Sequence, residues 1–83
     1  MDDSPDEDPD TEGLGMETLL SFIRKLPPGY RAVFNLFVIE EKSHKEIAEI
    51  LQIHPNTSAS QFLRAKRMLA EMIREYKLKM ENR

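Results

Sequence analysis

The 83-residue sequence has no cysteine, no tryptophan and only three glycines. Without cysteine there is neither a disulfide framework nor a thiolate metal site. No apolar run approaches the roughly 20 residues needed to span a bilayer, and the N-terminus is acidic where a signal peptide is basic. Lys and Arg are missing from one whole segment. Residues 1–15 contain Asp2, Asp3, Asp6, Glu7, Asp8, Asp10 and Glu12 with no basic residue, a balance of −7. This stretch, "MDDSPDEDPDTEGLG", also has almost no apolar side chains. It cannot offset its own ordering entropy and is expected to be a disordered acidic tail.

What remains, residues 16–83, is enough for one small domain. The net charge of −3 conceals its character, because this part has 12 basic and eight acidic residues, a balance of +4. From Ala59 onward seven basic residues stand against three acidic ones. Such asymmetry points to an acidic tail on a domain with an anion-facing surface. A chain of this size buries only about 60% of its unfolded surface, so the core must be compact. A cytoplasmic domain is expected.

Four helical segments are legible. In "METLLSFIRKL", Leu19, Leu20, Ile23 and Leu26 recur at helical spacing. Pro27 and Pro28 end that helix and can open the next. "GYRAVFNLFVIEEK" then places Tyr30, Val33, Phe34, Phe37 and Val38 on one broad apolar face, expected at the centre of the core. "SHKEIAEILQ" has Ser43 three residues before Glu46, the spacing of a capping box. Ile47, Ala48, Ile50 and Leu51 follow as the apolar side of a two-turn helix that needs packing to persist. After a turn at Gln52, Ile53 and His54, Pro55 takes the first position of a long helix, with His54 as its N-cap. Phe62, Ala65, Leu69, Met72 or Ile73, and Tyr76 form its core stripe. The expected fold is all-α, a compact three- or four-helix domain.

A short capped helix, a tight turn and a longer basic helix make a helix-turn-helix, whose second helix enters the DNA major groove with its N-terminal residues. In "PNTSASQF" the first turns of that helix carry Asn, Thr, Ser and Gln rather than apolar residues. With Phe62 and Ala65 inward, the outward tip comprises Thr57, Ala59, Ser60, Leu63 and Arg64. Ser can hydrogen-bond base edges, Arg can grip guanine with two bonds, and Ala or Leu can meet a thymine methyl. Lys66 and Arg67, with Lys45 on the preceding helix, suit phosphate contacts. His44 and His54 lack carboxylate or thiolate neighbours at ligand spacing and are expected in surface and capping roles. No nucleophile accompanies the Glu40–Glu41 and Glu46–Glu49 pairs, so neither catalysis nor a metal, cofactor or small-molecule substrate is expected.

At this point "LPPGYRAVFNLFVIEEKSHKEIAEILQIHPNTSASQFLRAKRML" resembles region 4 of bacterial sigma factors, in particular the extracytoplasmic-function group. The matching elements are "LPxxYRxVF", "SxKEIAEIL" and "xNTxxSxxxRAKxxL", and the likeness covers roughly residues 20–72. It implies a four-helix domain of the winged-helix-like, sigma region 4 type. It further implies binding to the promoter −35 element, docking on the flap of the RNA polymerase β subunit and, as in many members, binding of an anti-sigma factor. By motif position, Ala59, Ser60, Leu63 and Arg64 fall where the family contacts −35 DNA, and Asn56 and Thr57 where it contacts the backbone. The sequence departs from the family's frequent Gly at Gln52 and Asn56, Val at Ser58 and a basic residue at Ala59. Members also carry a region 2, so the chain is expected to be the C-terminal part of a longer sigma factor, with residues 1–15 as interdomain linker. Two alternatives stand beside this reading. One is the output domain of a LuxR-type response regulator, which shares a "KEIAEIL"-like run. The other is a protein-interaction module with little DNA affinity of its own.

Overall fold

A computed structural model describes residues 9–81 of the chain. Helix α1 spans Met16–Arg24 and α2 spans Pro28–Phe34, continuing as a π-helical turn over Asn35–Ile39. Helix α3 spans His44–Leu51 and α4 spans Pro55–Glu81. No strand occurs among the described residues, so the helix-turn-helix takes its all-helical form.

Each boundary has a local cause. Glu17 in the first turn of α1 and Arg24 in its last complement the helix dipole. Its C-terminal end is also closed from outside: Arg31 on α2 donates from Nη1 to the Arg24 carbonyl at 2.7 Å. Pro27 is extended (φ −54°, ψ 148°) and Pro28 occupies the first position of α2, where its missing N–H has no partner to lose. Past Phe34 the helix widens, with the Glu40 N–H reaching back five residues to the Asn35 carbonyl at 3.1 Å. Glu41, at φ +57°, turns the chain out of it.

The core lies where α1, α2 and α3 converge on α4. Phe22, Ile23, Leu26, Phe34, Ala65, Leu69 and Ile73 form its buried cluster. Val33 and Ile47 are wholly buried as well. The aromatic contacts tie distant helices together. Phe22 meets Tyr76 edge-on at 5.7 Å between centroids, and Phe37 lies 4.4 Å from Phe62. Ala48 is buried and small, which lets α3 approach closely.

Two apolar residues expected in the core are exposed. Ile50 is 52% exposed because the buried stripe of α3 runs through Ile47 and Ala48 and leaves Ile50 beyond its edge. Val38 is 47% exposed. It borders an open groove beside Leu19, Leu20 and Phe37 that no described residue fills. Its face is apolar as expected, but uncovered.

The N-terminal stretch divides. Residues 1–8 lie outside the described residues. Residues 9–15, expected to be disordered, are held against the helices. Lys77 on α4 pairs with Asp10 Oδ2 at 3.0 Å and donates to the Asp10 carbonyl at 3.1 Å, and Leu14 packs against the core cluster. Composition gives no sign of these two contacts, which join the stretch to α4 and to the core cluster.

Substituting Leu69→Ala should cost about 2–5 kcal/mol, because the wholly buried side chain leaves a cavity on the spine of the fold. Ile50→Ala should stay within about 0.5 kcal/mol of the parent. Urea unfolding of the two variants checks both; a large loss at Ile50 would contradict its exposed position.

Candidate nucleic-acid interface

The two helices of the motif are started by different devices. In α3, the Glu46 N–H donates to Ser43 Oγ at 3.1 Å, and the Ser43 N–H donates to Glu46 Oε1 at 2.9 Å. This is the reciprocal capping box read from the spacing. The same bond from the Ser43 N–H holds the Glu46 carboxyl below its ordinary pKa. Helix α3 ends at Gln52, whose backbone is left-handed (φ 60°, ψ 48°). Its N–H and that of Ile53 both return to the Ala48 carbonyl. Helix α4 then starts at Pro55. The Asn56 N–H donates to His54 Nδ1 at 3.1 Å, so His54 caps the helix as expected.

Burying Ala65, Leu69 and Ile73 determines which way the remaining faces of α4 point. Asn56, Ala59, Ser60, Arg64 and Arg67 are exposed, and Thr57 and Leu63 are half-buried at the margin. Asn56, Ser60, Leu63 and Arg67 recur at spacings of four, three and four, hence along one outward strip. Ser60 Oγ donates to the Thr57 carbonyl at 3.2 Å, so its lone pairs remain available as acceptors. Lys45 is exposed on α3. Lys66 is placed differently from the other candidates. It is half-buried, with Nζ 5.4 Å above the Phe62 ring, and lines the apolar groove. The structure thus gathers most of the sequence candidates on the tip and outer strip of α4, with Lys66 on a flank.

Two tertiary relations escaped the sequence reading. Tyr30, taken as core, is half-buried and borders a shallow cleft with Arg64 and Arg67. An aromatic residue at core spacing gives no sign that it will also border arginines of another helix. His44, expected at the surface or in a capping role, is half-buried and bonded to Ser58, which is itself wholly buried. The two are 14 positions apart, beyond any local pattern.

The apolar groove is the second surface of note. It has a volume of about 530 Å³ and runs between α1, the π-helical turn and α4, with Met16, Leu20, Phe37, Val38 and Ile39 among its walls. Met16 is 70% and Ile39 59% exposed. Among the described residues, no group of three or more His, Asp or Glu could hold a metal ion. No helix there is long and apolar enough to cross a membrane.

A protein-family model described as "Sigma-70, region 4" matches residues 16–69. That stretch takes in α1, α2, α3 and the first half of α4, and sets aside the response-regulator alternative. No curated protein and no solved structure matches the chain significantly.

Removing the cap by Ser43→Ala should cost about 1 kcal/mol in urea unfolding. Glu46 adds a pH dependence. Its folded pKa lies below the ordinary 4.5, so its contribution is complete above that value and is lost as pH falls through the folded one. The stability gap between the parent and Glu46→Gln should be flat near neutrality and shrink in acid below pH 4.5. A gap that widens there would contradict the capping bond.

Proposed function

Because the chain belongs to the sigma-70 region 4 family, whose domains bind promoter −35 DNA and RNA polymerase and are not enzymes, we propose that this one does both. The tip of α4 would read the −35 element, and the apolar groove would dock on the flap of the polymerase β subunit. One observation carries the DNA reading. Helix α4 buries Ala65 and Leu69 while leaving Asn56, Ser60, Arg64 and Arg67 exposed on its N-terminal half. A helix so arranged can enter the major groove without unfolding anything.

Within this reading the side chains divide by reach. Ser60 offers acceptors and Arg64 a planar pair of donors to base edges, while Ala59 and Leu63 present apolar surface to a thymine methyl. Asn56, Thr57, Arg67 and Lys45 would contact phosphate and fix register. The half-buried Lys66 would add charge from the flank. Ala59 carries no charge, so phosphate attraction around the tip falls mainly to Arg67, Lys45 and Lys66. The cytoplasm is the compartment this role requires.

The groove supports the second contact. Met16, Val38 and Ile39 are exposed together around the groove, and contiguous apolar patches can mark interaction surfaces. The same groove also favours a second reading, in which an anti-sigma factor occupies it and competes with polymerase. The segment of residues 1–15 would then connect this domain to the rest of a sigma factor.

Arg64→Ala should weaken binding to a −35-containing promoter duplex by about 1–3 kcal/mol, with a much smaller loss on unrelated DNA. Parent affinity should fall as salt rises. Fluorescence titrations at two salt concentrations measure both effects, and parent binding with no preference between the duplexes would defeat the DNA reading. Separately, Ile39→Asp should weaken binding to a purified β-flap fragment by about 1 kcal/mol or more, leaving DNA affinity intact. Unchanged flap binding would remove the groove from the docking role.

A further inference from the structure

Ser58 is the one polar residue in the buried set among the described residues, and it is wholly buried. It sits one turn into α4, between Thr57 and Ala59, on the helix that carries the candidate DNA-reading residues. Its Oγ lies 2.8 Å from Nδ1 of His44, the first residue of α3. The imidazole is itself clamped. It stacks nearly parallel on Phe37, 4.5 Å between centroids at 14°, and lies 5.9 Å from Phe62. Its backbone follows Ser43, the capping residue of α3.

These contacts make the junction directional. Apolar packing tolerates small rotations, whereas a hydrogen bond weakens steeply with misalignment. A buried hydroxyl left without its partner costs more than the bond itself contributes. Ser58, Ser60 and Arg64 lie on one continuous helix, so holding Ser58 also sets the outward angle of Ser60 and Arg64. We propose that His44 is a positioning residue: through Ser58 it fixes the rotation of α4 about its own axis, and thereby the aim of the side chains that discriminate between DNA sequences. The proposal rests on the DNA-binding reading above.

The test uses the full chain and a duplex that the parent enriches from a randomised pool, with a scrambled duplex of equal composition as reference. Ser58→Ala removes the hydroxyl. His44→Phe keeps a ring on Phe37 but takes away Nδ1. His44→Asn retains a polar atom near the Nδ1 position. The ratio of affinities for enriched over scrambled DNA should fall about three- to tenfold in each of the first two variants. It should fall no further in the double variant, since both changes break one bond, and His44→Asn should recover most of it. Affinity for scrambled DNA should stay within about twofold of the parent. A merely structural role would instead lower binding to both duplexes together, in step with the folded fraction measured by urea unfolding. If His44→Phe does not fold, Ser58→Ala decides alone. A ratio unchanged in folded Ser58→Ala, while Arg64→Ala loses it, overturns the positioning role and leaves the DNA reading standing. A parent that shows no preference overturns both.

Discussion

The burial of Ala65, Leu69 and Ile73 along one side of α4 constrains nearly everything else in this domain. A helix has only one circumference. Once that side is committed to α1 and α2, the opposite strip through Asn56, Ser60 and Arg67 must face water. The helix spans Pro55–Glu81, about 40 Å at the usual rise, so it serves as the spine of a small core while its outward strip stays in water. Pro55 matters because it starts the helix three residues before Ser58, the first buried residue of α4. The polar turns 56–61 therefore belong to the same rigid rod as the buried stripe.

Helix α3 meets the complementary difficulty. With eight residues it is too short to persist alone, and only Ile47 and Ala48 are buried from it. Its ends add to that packing. A capping box satisfies the first turn, a left-handed Gln52 closes the last, and His44 is fixed between Phe37 and Ser58. Left-handed geometry is least costly for glycine, and Gln52 adopts it at the turn of the motif. The position where the chain departs from the family's frequent glycine thus keeps the backbone that a glycine would favour. At Ser58, similarly, the residue differs from the frequent valine but its buried place does not.

Much of this was legible from sequence because it is local. The Ser43–Glu46 spacing, the proline at the head of α4 and the stripe through Ala65 and Leu69 each depend on residues within a few positions of one another. Periodicity identified the apolar face of the α2 segment but could not say whether another element covers its end, and Val38 and Ile39 border an open groove. For Ile50, an apolar residue near the right spacing was counted as core although only part of the helix surface is in contact. The His44–Ser58 bond, the clasp of Lys77 on Asp10 and the approach of Tyr30 to Arg64 and Arg67 are tertiary. They depend on how helices cross, and no pattern along the chain encodes them. The family resemblance aligned the recognition helix residue by residue, yet it could not foresee contacts made by residues in which this chain differs.

The separation of the two candidate surfaces bears on how such a domain could work. The groove is walled by α1, the end of α2 with the π-helical turn, Pro9 and Thr11 of the N-terminal segment, and the flank of α4 that carries Phe62 and Lys66, whereas Asn56, Ser60 and Arg67 lie on the outer strip. Lys66 alone is assigned to both, so one occupant need not displace the other. In the proposed reading, docking through the groove would hold the α4 tip near promoter DNA and make the second contact effectively intramolecular, raising its local concentration without any new bond. That arrangement relaxes the demand on the tip. With an uncharged Ala59, the tip can be a modest DNA binder in isolation and still discriminate once anchored. Discrimination then depends less on the number of charges than on the angle at which Ser60 and Arg64 are presented, and that angle is set inside the protein.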